Sequence, residues 1–448
     1  MEDYLSIYDL LLTPIYLGVV LFLAKIYEKS KIAKHPEYKY FTRGLFVKIL
    51  GAFALGCVYM FYYSGGDTTN YFQSARAYVN LSFYNWDDFI EGWLGDPGGT
   101  SAWNYFNTDI GYPVYYHRDH HSFFVVRLLI PIVFLGSKSY FCSAILTASL
   151  TYTGAWKLYK TFLYEFPTLS KELAIAIIFI PSCVFWGSGL MKDSFTLSAI
   201  GWYTYAFYNF LILKHRSTGY LIQLLVASII IISIKPYIFF ALLPGSILWL
   251  SNQQISKIAN ATLRRVAAPF FLTIGGIGGF FALSKMGDSL GLYKVDTVFE
   301  RAAIVQKDMK ADYYGGKSFD IGDFDGSFES VIQKAPQAIF AGIFRPGIWD
   351  VRNAVMFISS LENTYLLILT TFLLFKLKFF GFFQLIGKNP LLLFCMLFSL
   401  FFAFSVGLSI SNFGSLVRLR IPELPFFVSG IFILRHLYEI KSGKKLKI

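Results

Sequence analysis

In the stretch YYSGGDTTNYFQSARAYV, residues 62–79, a single acid, Asp67, stands behind two glycines and directly after an apolar run. Cations recur at the polar ends of other apolar runs. Lys192 and Asp193 lie in GLMKDSF and Lys235 in SIKPY. Arg345 and Arg352 lie in FRPGIWDVRN, and Arg418 and Arg420 in SNFGSLVRLRIPELP. His120 and His121 close a polar segment, while Glu362 sits beside Asn363 well inside an apolar run. A carboxylate such as Asp67 can accept the proton of an attacking hydroxyl. Cations can hold a phosphate leaving group, and Arg offers a planar two-pronged set of donors. These residue types are equipment for transfer from a lipid-linked phosphate.

Each residue also has a plainer reading. An Asp beside glycines commonly does no more than end a helix in a turn. Lys192 and Asp193, adjacent in the chain, are then a solvated loop pair worth little. Arg418 and Arg420 snorkel to an interface, as cations near helix ends do. His117, His120 and His121 suggest zinc, but neighbouring histidines need further placed ligands to close a metal site. No cofactor is assigned, and a divalent metal stays open. Asp320, Asp323, Asp325 and Gly326 resemble a calcium loop, yet Ile321 falls where that loop needs an oxygen ligand. Glu362 is different, because an acid at that depth must be paired or neutral.

The elements that position these residues are membrane helices. Of 448 residues, 55% are hydrophobic and 15% charged, with mean hydropathy +0.51. A soluble chain would carry about a quarter charged residues. Apolar runs near 8–26, 44–63, 138–156, 172–190, 194–213, 219–234, 237–250, 266–283, 354–375, 390–410 and 421–436 predict an all-α polytopic membrane protein with about eleven transmembrane helices. The net charge of +12 concentrates in short loops and the tail, such as Lys25 to Arg43, Lys214 to Arg216 and Lys441 to Lys447. That is a positive-inside pattern and not a nucleic-acid footprint. It places the N-terminus outside and the C-terminus in the cytoplasm, and it makes 121–136 a re-entrant or juxtamembrane helix. The start, Met-Glu-Asp-Tyr, has no basic region of the kind that opens a cleaved signal. The four cysteines show no paired spacing and read as small buried side chains.

This topology gives four regions. Residues 1–43 form an extra N-terminal helix with a basic cytoplasmic loop, and 44–283 a transmembrane core that includes an outer loop, 64–120. Residues 284–353 form a second outer loop, and 354–448 the last spans with a basic tail. Tyr71, Ala75 and Tyr78 share one helical face, so 70–80 is expected to lie along the membrane surface, capped by Thr68 or Thr69. One outer face thereby collects Asp67, His120, Lys192, Lys235, Arg345, Arg352, Arg418 and Arg420.

With those residues in place the chain resembles the GT-C glycosyltransferases, polytopic enzymes that use polyprenyl-phosphate sugar donors. They include the protein mannosyltransferases and the aminoarabinose transferase that modifies lipid A. Span 44–63 with GGDTTNYFQSARA is similar to their first core helix and acid-bearing outer loop. HHSFFVVRLLIPIVFLGSKSYFCSAILTASLTYTGAWKLYK is similar to the His-Pro-Pro start, short helix and following span, and IPSCVFWGSGLMKDSF to a span ending in an outer Asp. LVRLRIPELPFF resembles the closing Arg-Tyr-x-x-Pro-x-x-Pro helix, with Arg418 or Arg420 in the arginine role. The chain departs from the pattern in lacking an acid pair at Asp67, a Pro-Pro after His121 and a Tyr after the arginine. FRPGIWDVRN with SLEN is instead similar to GT-C-like proteins of bacterial envelope-polysaccharide synthesis.

The resemblance implies an enzyme of the bacterial inner membrane, active on its periplasmic or extracellular face. It implies a polyprenyl-phosphate-linked sugar as donor and a glycan, lipid or protein as acceptor. Asp67 is its implied base, and Lys192, Lys235, Arg345, Arg352, Arg418 and Arg420 its implied phosphate ligands. Asp193, His120, His121 and Glu362 are left for acceptor contact or support. Two other readings stand beside it. A polysaccharide polymerase or ligase would rest on Arg345, Arg352 and the 284–353 loop. A transporter or non-catalytic assembly protein would show inverted repeats, and the sequence has none.

Overall fold

A computed structural model of the protein describes residues 7–95, 104–113, 115–255, 260, 298–309, 318–352 and 354–443. Among the described residues the chain is helical, with one isolated bridge between Ser318 and Asn412. Among the described residues, four helices are long and apolar enough to cross a membrane: Asp9–Ile32, Pro36–Tyr62, Met356–Lys388 and Pro390–Ser409. A fifth arises if His120–Leu135 and Tyr140–Glu165, bent by 115° at a short break, count as one span. The first of these leaves Leu10, Leu11, Phe22 and Leu23 exposed, apolar surface that suits lipid better than water.

The expected eleven crossings are therefore not all matched by long apolar helices, for local reasons. The run 172–190 divides into Ser170–Ile177 and Pro181–Trp186. Pro181 has no N–H to continue a helix and disfavours helical backbone at Ile180. The run 194–213 is Lys192–Phe207 followed by a π-helical turn, Tyr208–Ile212, and Trp202, Tyr203, Thr204 and Tyr205 dilute its hydropathy. Runs 219–234 and 237–250 are helices Thr218–Ile234 and Pro236–Ile255, apolar but short and parted at Lys235. The run 266–283 lies outside the described residues, and 421–436 falls in Leu424–Ser442, mostly buried in protein.

The polar segments hold more structure than loops. After α1, Ile7–Ile32, and α2, Phe41–Cys57, the described α-helices within 64–120 that precede His120 are α3, Asp67–Tyr84, and α4, Trp86–Leu94. Tyr71, Ala75 and Tyr78 do share a face of α3, but that face is buried in protein and not laid on a membrane. Tyr78 meets Phe106 and Phe123, the latter in α5, His120–Leu135. In 284–353 the described helices are Val298–Asp308 and Phe328–Phe344.

Contacts divide the chain into two compact units. The first comprises Met1–Lys160, Cys183–Tyr205 and Gln223–Lys235. Here Tyr140–Glu165 and Lys192–Phe207 cross where both are glycine: a Cβ on Gly154 would lie 2.2 Å from the Ser198 carbonyl oxygen, and one on Gly201 2.2 Å from that of Gly154. Close backbone approach through small residues is how helices pack without a hydrophobic driving force between them. The second unit comprises Thr161–Ser182, Ala206–Ile222 and Pro236–Ile448. Its core includes Phe162, Phe394, Phe398 and Phe426 in edge-to-face contact. Phe328–Phe344 packs on Pro390–Ser409 through Ala338, Gly342, Ala403 and Gly407.

Candidate functional site

The predicted residues fall into two polar clusters, one in each unit. In the first unit, helix Phe41–Cys57 continues into a π-helical turn, Val58–Tyr62, and the chain then reverses through Ser64, Gly65 and Gly66 at φ 57°, 127° and 135°. Glycine is required at the last of these, because a Cβ on Gly66 would stand 2.9 Å from the Tyr59 ring at a φ that side chains rarely adopt. Thr69, not Thr68, closes the turn, accepting the Gly66 N–H at 3.0 Å and donating to the Gly66 carbonyl at 2.9 Å. Thr68 bonds the Tyr140 hydroxyl instead, at 2.7 Å.

This turn sets Asp67 as the first residue of α3, where the unsatisfied N–H groups of a helix favour negative charge. The Tyr116 hydroxyl donates to Asp67 Oδ1 at 2.9 Å. Tyr116 is buried, and its ring stacks on Tyr71 with centroids 4.3 Å apart. Asp67 is thus a half-buried carboxylate oriented by a rigid phenol.

Three residues after Tyr116, Asp119 caps α5, accepting the N–H groups of His121 and Ser122 at 3.1 Å each. It also accepts the Ser122 hydroxyl and the Lys192 ammonium, the latter at 3.1 Å. Partial burial pushes the Asp119 carboxyl up, but the Ser122 hydroxyl, the Lys192 charge and the His121 N–H outweigh it and hold the group at about 2. Burial in turn pulls the Lys192 ammonium below its usual range; Asp119 opposes that shift and the nearby Lys235 adds to it. Lys235 donates to Asp193 Oδ1, and both members of this pair are buried. His121 places Nδ1 2.7 Å from the Ser233 carbonyl, an arrangement that requires the proton on Nδ1. His120 is exposed in the first turn of α5.

The second cluster lies around Arg420, which is completely buried. It donates to the carbonyls of Ile343 at 2.8 Å and Arg345 at 3.4 Å and to the Asn363 side chain, and it lies 3.6 Å from Glu362 Oε1. Asn363 donates to the Pro346 carbonyl at 2.7 Å, and Glu362 Oε2 accepts the Ser182 N–H at 3.1 Å. Arg420 therefore spends donors on protein atoms and fastens the turn at 343–346. Arg345 is clamped by Asp350 at 2.6 and 3.1 Å and lies over the Phe319 and Phe413 rings. Arg418 is half-buried, Arg352 is exposed, and Glu423 is buried three residues beyond Arg420.

Sequence reading missed Tyr116, Asp119 and Asn363 as partners. Asp119 had a signal, an Asp standing before a polar turn and an apolar run, as helix caps do. Tyr116 had none, because its role depends on the stacking of two tyrosines distant in sequence. Among the described residues no three His, Cys, Asp or Glu side chains are arranged to hold a metal. Protein-family models, curated proteins and solved structures yield no match to the chain.

Proposed function

We propose that the protein is an integral membrane glycosyltransferase of the bacterial envelope. It transfers a sugar from a polyprenyl-phosphate donor to a glycan, lipid or protein acceptor, on the periplasmic or extracellular face of the inner membrane. The acceptor hydroxyl attacks the anomeric carbon and a new C–O bond forms there. The bond from that carbon to the phosphate oxygen breaks, the proton passes to Asp67, and polyprenyl phosphate leaves with the bonding electrons. Lys192, half-buried beside Asp119, is the cation assigned to the departing phosphate, with the Lys235–Asp193 pair holding the start of its helix.

One observation carries this reading: a half-buried carboxylate at a helix start, oriented by a buried tyrosine, in the same unit as two lysine–aspartate pairs. The polymerase reading leaned on Arg345, whose guanidinium is occupied by Asp350 and two rings. Membranes carrying the Asp67→Asn protein, supplied with a lipid-linked sugar pool, should form no product at normal protein levels. Product at the wild-type rate would refute the assignment of the base.

A further inference from the structure

Helix α3 carries a second polar face that the proposed transfer does not use. At about 100° per residue, Arg76 lies nine positions from Asp67 and so about 180° round the helix. Gln73 and Asn80 fall on the same side as Arg76. They line a cavity of about 570 Å³ within the first unit, together with Asp109, Tyr112 and Lys138. That volume lies within the roughly 300–1,000 Å³ of small-ligand sites.

The walls are fixed by the sequence. Asn107 accepts the N–H groups of Asp109 at 2.9 Å and Ile110 at 3.0 Å, and Gly111, at φ 87°, returns its N–H to the Asn107 carbonyl. Asn80 donates to the Ile110 carbonyl at 2.9 Å and accepts from Lys138 at 3.2 Å, joining helix, loop and bend. The bend holds two consecutive non-glycine residues at positive φ, Ser137 at 56° and Lys138 at 60°. Each such residue is held against a conformational preference, and strain of this kind concentrates at ligand clamps and functional sites. The Tyr16 hydroxyl, donating to the Leu135 carbonyl at 2.7 Å and 3.1 Å from Ser137 Oγ, braces the bend.

The chemistry of the lining selects the ligand. Amide side chains, Gln73 and Asn80, and a carboxylate, Asp109, accept from or donate to hydroxyl groups. Tyr112 offers an exposed aromatic face with a polar tip, suited to a flat, hydroxylated ring. Two cations, Arg76 and Lys138, stand against one acid. We infer that this cavity is a binding site for an acidic saccharide, separate from Asp67 and placed on the opposite side of the same helix. It stands apart from the transfer reaction, because binding here needs no chemistry at Asp67.

Full-length protein in lipid nanodiscs tests this with three probes: a short galacturonate oligomer, a neutral galactose oligomer of equal length, and inorganic phosphate. Calorimetry should show the acidic oligomer binding at least about tenfold more tightly than the neutral one. Arg76→Gln and Lys138→Gln should each weaken it about tenfold, while Arg76→Lys keeps most of the affinity and Asp67→Asn leaves it unchanged. Wild-type affinity in both glutamine variants, or equal affinity for the neutral oligomer, would overturn the site. Phosphate competing as well as the acidic oligomer would overturn the saccharide assignment. Loss of binding in Asp67→Asn would overturn its separateness. In the wild-type protein, binding intact with transfer absent from a lipid-linked sugar pool would refute the transferase reading alone.

Discussion

Removing Lys235 should expose how strongly the first unit depends on one buried pair. Asp193 has no exposed surface and Lys235 is 6% exposed. Taking one partner from a buried ion pair leaves the other charge uncompensated, at about 3–5 kcal/mol. Lys192 adjoins Asp193 and already interacts with its charge, so Lys235→Met should cost near the lower bound, about 3 kcal/mol. For a cooperative unit of roughly 200 residues each kcal/mol lowers Tm by about 2–4 °C, which gives a loss on the order of 6–12 °C. The assay is thermal unfolding by tryptophan fluorescence in nanodiscs at neutral pH. It compares wild type, Lys235→Met, Asp193→Leu and the double variant. The double variant should be more stable than either single one, since no buried charge then remains, and added salt should change little because the pair is shielded from solvent ions. Additive losses in the double variant would refute the argument that the pair, and not packing, sets the cost.

Three further outcomes follow from the same geometry. Tyr116→Phe keeps the ring stacked on Tyr71 but removes the donor to Asp67; hydrogen bonds to charged groups contribute about 1.5–3 kcal/mol, so transfer should fall by tenfold or more, and an unchanged rate would show that Asp67 needs no such positioning. The Asp119 carboxyl sits at about 2 against an ordinary 3.8, so its contribution is complete above about pH 4 and is lost as pH falls towards 2. Because Asp119 is half-exposed, solvent screening limits that contribution to about 1 kcal/mol, and Asp119→Asn should flatten the corresponding part of an acid-unfolding curve. Gly407→Ala would put a Cβ 2.0 Å from the Ala338 carbonyl oxygen, and forcing apart the helices that meet there should cost about 1–3 kcal/mol or more, measured as Tm in the same assay.

Much of the frame was legible in the sequence. Apolar length marked helices Ile7–Ile32, Ala354–Lys388 and Pro390–Ser409, and the charge pattern singled out 121–136 as unlike its neighbours, where the structure has the 115° bend. The glycines before Asp67 announced a reversal that needs positive φ. Hydropathy alone was less reliable for helices that pack inside protein. Ser170–Ile177, Pro181–Trp186 and Leu424–Ser442 are apolar helices packed largely against protein, and burial leaves the same mark in a sequence as lipid. The roles of single charges were harder still. Arg420 and Arg345 look like ligands for phosphate in the sequence, yet Ile343, Asn363 and Asp350 occupy them, and such partners are set by packing between distant segments.

The proposed function makes Asp67 the base of a transfer reaction. The most direct measurement is mass spectrometry of envelope glycans from cells lacking the protein, complemented with wild type, Asp67→Asn or Asp67→Glu at matched membrane levels. Cells lacking the protein should lose one sugar from the glycan, and Asp67→Asn should reproduce that loss while the lipid-linked donor accumulates. A complete glycan in the Asp67→Asn cells would contradict this role for Asp67.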